Sequence, residues 1–241
     1  MIARTEHVLE LPNLPPDWEG RRIVHLTDLH RSWRTSDALL RRAVQIANAA
    51  DPDLIVLTGD YVTDDPRDIA PCGAILSELK AREGIYAILG NHDYGTDGPA
   101  MECALMRAGC TVLTNRSVRL KGGFWLVGID DEILGRADIS AAFEEVPADA
   151  YPLVLIHNPA LAERFSERAC TALAGHTHGG QVILPFVTTW KVRKIRAKHY
   201  RRGWFTVGKT RLYVNRGVGN VGVSFRFLTS PEVAVFTLKA R

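Results

Sequence analysis

The chain contains no apolar run approaching the roughly 20 residues that a bilayer-crossing helix requires, so no membrane span is expected. Its first residues show no basic stretch followed by an apolar one, so no export signal is expected either. Only four cysteines occur, Cys72, Cys103, Cys110 and Cys170, and none stands in a C-x-x-C pair. They are expected to be buried small hydrophobes, with Cys103 and Cys110 sharing one helix face. Acidic residues are wholly missing between Arg168 and Pro231, a stretch that carries twelve Lys and Arg. The rest of the chain then holds eighteen basic against twenty-seven acidic residues, and the net charge of +3 conceals the split. A basic C-terminal third points to an anionic partner near it.

At 241 residues the length suits one α/β domain, taken as residues 1–241, with a sizeable core. Short apolar runs alternate with helical patterns, as in α/β folds. Segments 23–27, 54–58, 85–89, 153–156 and 171–174 read as buried strands, and 6–11 as a strand of alternating character. Segment 36–50 reads as a helix capped by Ser36, and 69–79, 100–108 and 160–165 as further helices. Beyond Gly180 the pattern is mostly strand and turn, with strands expected at 204–207, 211–215 and 232–238.

Each of the five buried strands ends in residues able to bind a metal. In order these endings are Asp28-Leu29-His30, Gly59-Asp60, Gly90-Asn91-His92-Asp93, His157-Asn158-Pro159 and Gly175-His176-Thr177-His178. Ligands of open α/β sheets bind at the carboxyl ends of strands, so these side chains can converge on one crevice. Carboxylate, imidazole and amide oxygen suit Mn, Fe or Zn, and no thiolate is among them. The glycines before Asp60, Asn91 and His176 permit sharp turns off the strands.

The order D-x-H, G-D, G-N-H-D, H, G-H-x-H over Asp28–His178 resembles the calcineurin-like metallophosphoesterase signature, with every element present. Asn215-Arg216-Gly217-Val218-Gly219 and the later Pro-Glu-Val resemble, more loosely, a bacterial branch of that family. That branch holds membrane- or wall-associated phosphodiesterases and UDP-2,3-diacylglucosamine pyrophosphatases. The resemblance implies a four-layer α/β/β/α sandwich of two mixed sheets, with a dinuclear metal site at the strand C-terminal ends. It implies two divalent cations, manganese foremost with iron or zinc as alternatives. Asp28, His30 and His178 would hold one ion, Asn91, His157 and His176 the other, and Asp60 would bridge them. Asn91 and His92 would meet the phosphate, His92 would protonate the leaving oxygen, and Asp93 would orient the His92 ring. The implied reaction is hydrolysis of a phosphodiester or pyrophosphate bond by a metal-bridged hydroxide. A lipid-linked substrate such as UDP-2,3-diacylglucosamine is one reading, and general phosphodiesterase or phosphomonoesterase action on soluble substrates is the alternative. A protein-binding scaffold on the same fold would be expected to have lost ligands, and here every position is filled.

Outside the signature, His25 is expected in the core or behind the ligands, and His7 and His199 on the surface. Asp130, Asp131 and Glu132 follow a strand and read as a turn with solvated charge, with a place behind the ligands as the alternative. Arg216, in a glycine-rich turn, is a candidate phosphate contact. Segment 190–205 mixes seven Lys and Arg with Trp190, Ile195, Tyr200, Trp204 and Phe205. Such a mixture suits an anionic membrane surface, a nucleic-acid groove or a field that steers anionic substrates. The chain is accordingly expected in the cytoplasm or at the periphery of a membrane.

Overall fold

A computed structural model describes residues 1–180, 199–222 and 225–241, so Trp190 and the basic residues from Lys191 to Lys198 lie outside the described residues. The first strands in chain order are β1 (Ala3–Leu11), β2 (Arg22–Leu26), β3 (Leu54–Thr58), β4 (Ile85–Ile88), β5 (Cys110–Val112) and β6 (Arg116–Arg119). They are followed by β7 (Trp125–Gly128), β8 (Leu153–Leu155), β9 (Cys170–Ala174), β10 (Gly203–Val207), β11 (Thr210–Val214) and β12 (Glu232–Ala240). Four α-helices accompany them among the described residues: α1 (Asp37–Ala49), α2 (Ile69–Leu76), α3 (Asn91–Arg107) and α4 (Ile139–Ala142).

The strands form two mixed sheets. One runs β1-β12-β2-β3-β4-β5, the other β10-β11-β9-β8-β7-β6. In the first sheet β2, β3, β4 and β5 are parallel neighbours, while β12 runs antiparallel to β2. In the second, β7, β8, β9 and β11 are parallel, and β6 and β10 flank them antiparallel. Strands β3, β8 and β9 are buried at every position, which explains their unbroken apolar sequences.

Three apolar layers separate four layers of structure. Leu40, Val44, Ile75 and Met101 pack α1–α3 on one sheet. Ile23, Val56, Ile88, Leu126, Leu155 and Phe236 fill the space between the sheets. Phe143, Leu161 and Phe165 cover the outer face of the second sheet. The fold is therefore the expected α/β/β/α sandwich.

Local chemistry sets the ends of the elements. Ser36 caps α1, its Oγ accepting from Leu39 N at 3.3 Å. Helix α3 begins at Asn91 rather than near residue 100. Asp97, at φ −168° and ψ 89°, breaks it just ahead of Pro99, and that break hides the first turn in the sequence pattern. Segment 159–165 is a 3₁₀ helix, entered through Asn158, whose side chain accepts from Ala160 N at 3.1 Å. Cys110 opens β5 and so shares no helix face with Cys103, which is exposed; the other three cysteines are buried.

One buried carboxylate links the two sheets. Glu232, at the start of β12, accepts from the Thr5 hydroxyl and the Tyr213 phenol, both at 2.6 Å. It also accepts from the backbone N and the Nε of Arg216, both at 3.0 Å. Arg216 is thus an ion-pair partner of Glu232 through its Nε. His7 is half-buried rather than superficial: its ring lies 4.8 Å from Tyr213 and 5.2 Å from Phe236. Trp204 packs edge-on to Tyr213 at 5.0 Å with Arg211 over its ring at 4.3 Å, and Phe205 packs on Tyr200. Tyr200, Trp204 and Phe205 are half-buried in these contacts.

Burial alone would raise the Glu232 pKa, but Thr5, Tyr213 and Arg216 hold it below its ordinary 4.5. The stability it contributes is therefore complete above pH 4.5 and is lost as pH falls through the lower folded value. Glu232→Gln should destabilise the protein by about 2–4 kcal/mol at neutral pH. It should also flatten the fall of stability below pH 4.5, measured by urea unfolding across pH.

Candidate metal centre

Strands β2, β3, β4, β8 and β9 present their C-terminal ends at one edge, where the loops of both sheets are stitched together. Asp28 N donates to Gly59 O at 2.9 Å and His30 N to Asp60 O at 3.0 Å. Gly175 N donates to His157 O at 3.1 Å, and Gly219 N to Asp28 O at 2.7 Å. Five of the expected ligands leave their strands in the left-handed region: Asp28 (φ 52°), His30 (45°), Asp60 (57°), His176 (69°) and His178 (52°). Such backbones cost energy in non-glycine residues and persist where the surroundings over-determine them. Of the three glycines expected to make turns, only Gly59 uses positive φ, at 91°. Gly90 and Gly175 serve close approach instead. A Cβ on Gly90 would overlap the Asp60 carboxylate, and one on Gly175 would overlap that of Asp28.

The side chains converge in two clusters. In one, His178 Nε2 lies 3.0 Å from His30 Nε2 and 3.4 Å from Asp28 Oδ1. In the other, His176 Nδ1 lies 3.1 Å from His157 Nε2, which is 3.2 Å from Asp60 Oδ2. The same Asp60 Oδ2 lies 3.4 Å from His30 Nε2, so one carboxylate oxygen touches both clusters. Asn91 Oδ1 is buried with no hydrogen-bond partner. An orphaned amide oxygen on the residue between Gly90 and His92, both of which abut the Asp60 carboxylate, fits a cation ligand.

Electrostatics point the same way. Burial drives His176 down to about 3 and His178 well below its ordinary value, keeping both rings neutral donors. Burial also opposes charge on His157, yet Asp60 overrides it and pushes that imidazole up to about 10. A buried carboxylate that forces a proton onto its neighbour is a site that calls for positive charge. The residues present therefore fit divalent metal binding.

Backbone carbonyls aim the rings. His157 Nδ1 donates to Thr58 O at 2.7 Å, and His92 Nδ1 donates to Thr63 O at 2.8 Å. Each contact fixes the tautomer and leaves Nε2 for the site. The expected orienting role of Asp93 is thus filled by Thr63. Asp93 is fully buried and accepts from four backbone amides: Asp60 and Tyr61 at 2.8 Å, Gly90 at 2.9 Å and Val62 at 3.3 Å. It holds the chain at Asp60, not the His92 ring. Asp130 and Asp131 are likewise buried rather than solvated. Asp130 accepts from the Tyr94 phenol at 2.6 Å, and Asp131 accepts from Ile133 N and Leu134 N while its Oδ1 has no partner. His25 is in the core, bonded through Nε2 to Thr58 Oγ1 at 2.8 Å, and His199 is exposed. The sequence reading missed Arg226, whose Nη2 lies 3.2 Å from His178 Nδ1. It missed Thr58 and Thr63 as well, because a carbonyl acceptor carries no side-chain signal.

Comparisons with known proteins agree with this geometry. Residues 21–180 match the family model of the calcineurin-like phosphoesterases. The chain is 35% identical, over all of its length and 86% of the relative's, to the uncharacterized metallophosphoesterase YkuE of Bacillus subtilis. It is 33% identical, over 90% of its length and 82% of the relative's, to the phosphodiesterase YaeI of Escherichia coli. Among solved structures, TT1561 of Thermus thermophilus shares the fold at a TM-score of 0.54 and 14% identity, covering 82% of this chain and 90% of that one. The chain belongs to the calcineurin-like phosphoesterase family and is a metal-dependent phosphoesterase.

Proposed function

We propose that the chain hydrolyses phosphodiester or pyrophosphate bonds with two divalent ions that share Asp60. The observation that carries this reading is the position of Asp60 Oδ2, 3.4 Å from His30 Nε2 and 3.2 Å from His157 Nε2. Asp28, His30 and His178 would hold one ion, and Asn91, His157 and His176 the other. The oxygen and imidazole donor set without thiolate suits Mn, Fe or Zn, and the family resemblance puts manganese first. Bound there, the ions supply Lewis-acid stabilisation of phosphoryl charge and activate water.

The protein's own contribution is position and protons. Asp60 Oδ1 accepts from the backbone N of His92 at 2.9 Å, and Thr63 O holds the ring at Nδ1, so both the backbone and the ring of His92 are fixed. With Nδ1–H bound to the carbonyl, a protonated His92 presents Nε2–H toward the site. From there it neutralises a phosphate oxygen and gives its proton to the leaving oxygen. Asn91, beside it at the start of α3, brings its orphaned amide oxygen to the same edge. Diester or pyrophosphate chemistry is favoured over monoester chemistry by the likeness to a relative named a phosphodiesterase. A lipid-linked substrate such as UDP-2,3-diacylglucosamine is the narrower form of this reading.

With Mn²⁺ added, the protein should turn over bis-p-nitrophenyl phosphate faster than p-nitrophenyl phosphate, and a chelator should abolish both activities. Faster monoester turnover would favour the soluble monoester alternative, and chelator-resistant turnover would contradict the metal assignment.

His92→Ala should lower kcat on a diester with a poor leaving group by about 10²–10⁴-fold. The loss should shrink with p-nitrophenolate as leaving group, and elemental analysis should find unchanged bound manganese. Loss of manganese in this variant would make His92 a ligand and refute the assignment.

A further inference from the structure

Among the described residues, nine large apolar side chains are strongly exposed. Six of them, Trp33, Ile133, Leu134, Phe225, Phe227 and Leu228, sit on loops that leave the metal-bearing edge. Trp33 is 79% exposed, Leu228 67% and Phe227 47%, and the function described above uses none of them. Leu228 is also held in the left-handed region, at φ 57°. A leucine fixed in that backbone and turned to water is costly twice over, which asks for a partner surface.

Cations are interleaved with these side chains. The guanidinium of Arg34 lies 4.1 Å over the Trp33 ring, and Arg202 Nη1 donates to Leu228 O at 3.2 Å. Neither contributing segment, 31–36 or 199–231, holds an acidic residue. The two are joined by Asn220, whose N donates to Thr35 Oγ1 at 3.0 Å and whose Nδ2 reaches Arg34 O at 3.5 Å. Arg226 then ties the second segment to the metal cluster, donating from Nε to Gly219 O at 3.1 Å and lying 3.2 Å from His178 Nδ1. Apolar side chains, a tryptophan and arginines thus form one hydrogen-bonded rim beside the reactive edge.

We propose that this rim, Trp33, Arg34, Arg202, Phe227 and Leu228, docks on an anionic phospholipid surface, so that the metal edge works against a bilayer. Amphipathic rings and arginines settle at the boundary between headgroups and acyl chains, where each finds its own medium. Positive charge without interspersed acids complements an anionic leaflet, and each arginine strengthens such binding about fivefold. A protein partner or a second copy would satisfy the apolar groups but would leave this one-signed charge to be matched separately. The inference rests on the metal edge being the reactive site, and of segment 190–205 it uses Arg202 alone.

The test is sedimentation at about 0.15 M salt with vesicles of phosphatidylcholine alone and of an equimolar phosphatidylcholine and phosphatidylglycerol mixture. The full chain is compared with a Trp33→Ser, Phe227→Ser, Leu228→Ser triple variant and with an Arg34→Gln, Arg202→Gln double variant. Size-exclusion chromatography and turnover of bis-p-nitrophenyl phosphate in solution are measured on the same samples. The wild type should sediment with the anionic vesicles only, and each variant should lose at least tenfold in partitioning while keeping soluble turnover. Equal sedimentation of wild type and triple variant would overturn the proposal, as would no sedimentation of an active wild type. A wild-type dimer that the triple variant dissolves would also overturn it, by giving the rim to a second copy. Absence of soluble turnover in the wild type would instead count against the phosphodiesterase reading, so the two failures are distinguishable.

Discussion

The structure at the metal edge depends on the burial of one carboxylate. Asp60 is almost wholly removed from solvent, and its charge is met by imidazoles from both sides of the crevice. A buried charge survives only if it is paired or binds metal. Its surroundings are built to that end. Gly90 has no side chain because any Cβ there would occupy the place of the Asp60 carboxylate. Asp93 accepts the amides of Asp60, Tyr61 and Val62 and so fixes the backbone that carries it. Burial, with Asp60 beside it, pushes the Asp93 pKa up to about 7, while the amides of Gly90 and Tyr61 favour its charged form.

The two sheets supply what this concentration of charge and strained backbone costs. Left-handed conformations at Asp28, His30, Asp60, His176 and His178 lie directly beyond buried strands, whose ladders hold the chain on one side. On the other side, Val218 N and Gly219 N donate to Thr27 O and Asp28 O across the edge. The Glu232–Arg216 pair and the Tyr213–His7–Phe236 ring cluster anchor the far end of that returning segment. A rigid frame that holds an uncomfortable site is the usual relation between stability and function.

Much of this was legible in the sequence. The parallel strands are apolar on both faces, so Leu54–Thr58 and Leu153–Leu155 declare themselves as short unbroken runs, and the polar residues that end them mark the crevice. Helix α1 declares itself through Ser36 and its apolar spacing. The first turns of α3 did not, because Pro99 and the break at Asp97 interrupt the period. Edge strands β5 and β6 are three and four residues long and carry exposed positions, too little for a pattern. The partners of Arg216, Asp93 and Asp131 were not legible for a common reason. A charged residue in a loop looks solvated or reactive until its partners, which lie far away in sequence or are backbone amides, are known. Thr63 and Arg226 carry no signature, since one acts through its carbonyl and the other through a contact forty-eight residues away.

The exposed rim and the buried cluster are two sides of one edge, and the rim has a purpose only if the cluster is the reactive centre. The most direct measurement of that centre is anomalous scattering at the manganese edge from crystals grown with Mn²⁺. The account predicts two peaks about 3.5–4 Å apart, each about 2.0–2.2 Å from a carboxylate oxygen of Asp60. A single peak, or two peaks of which one does not touch Asp60, would contradict it.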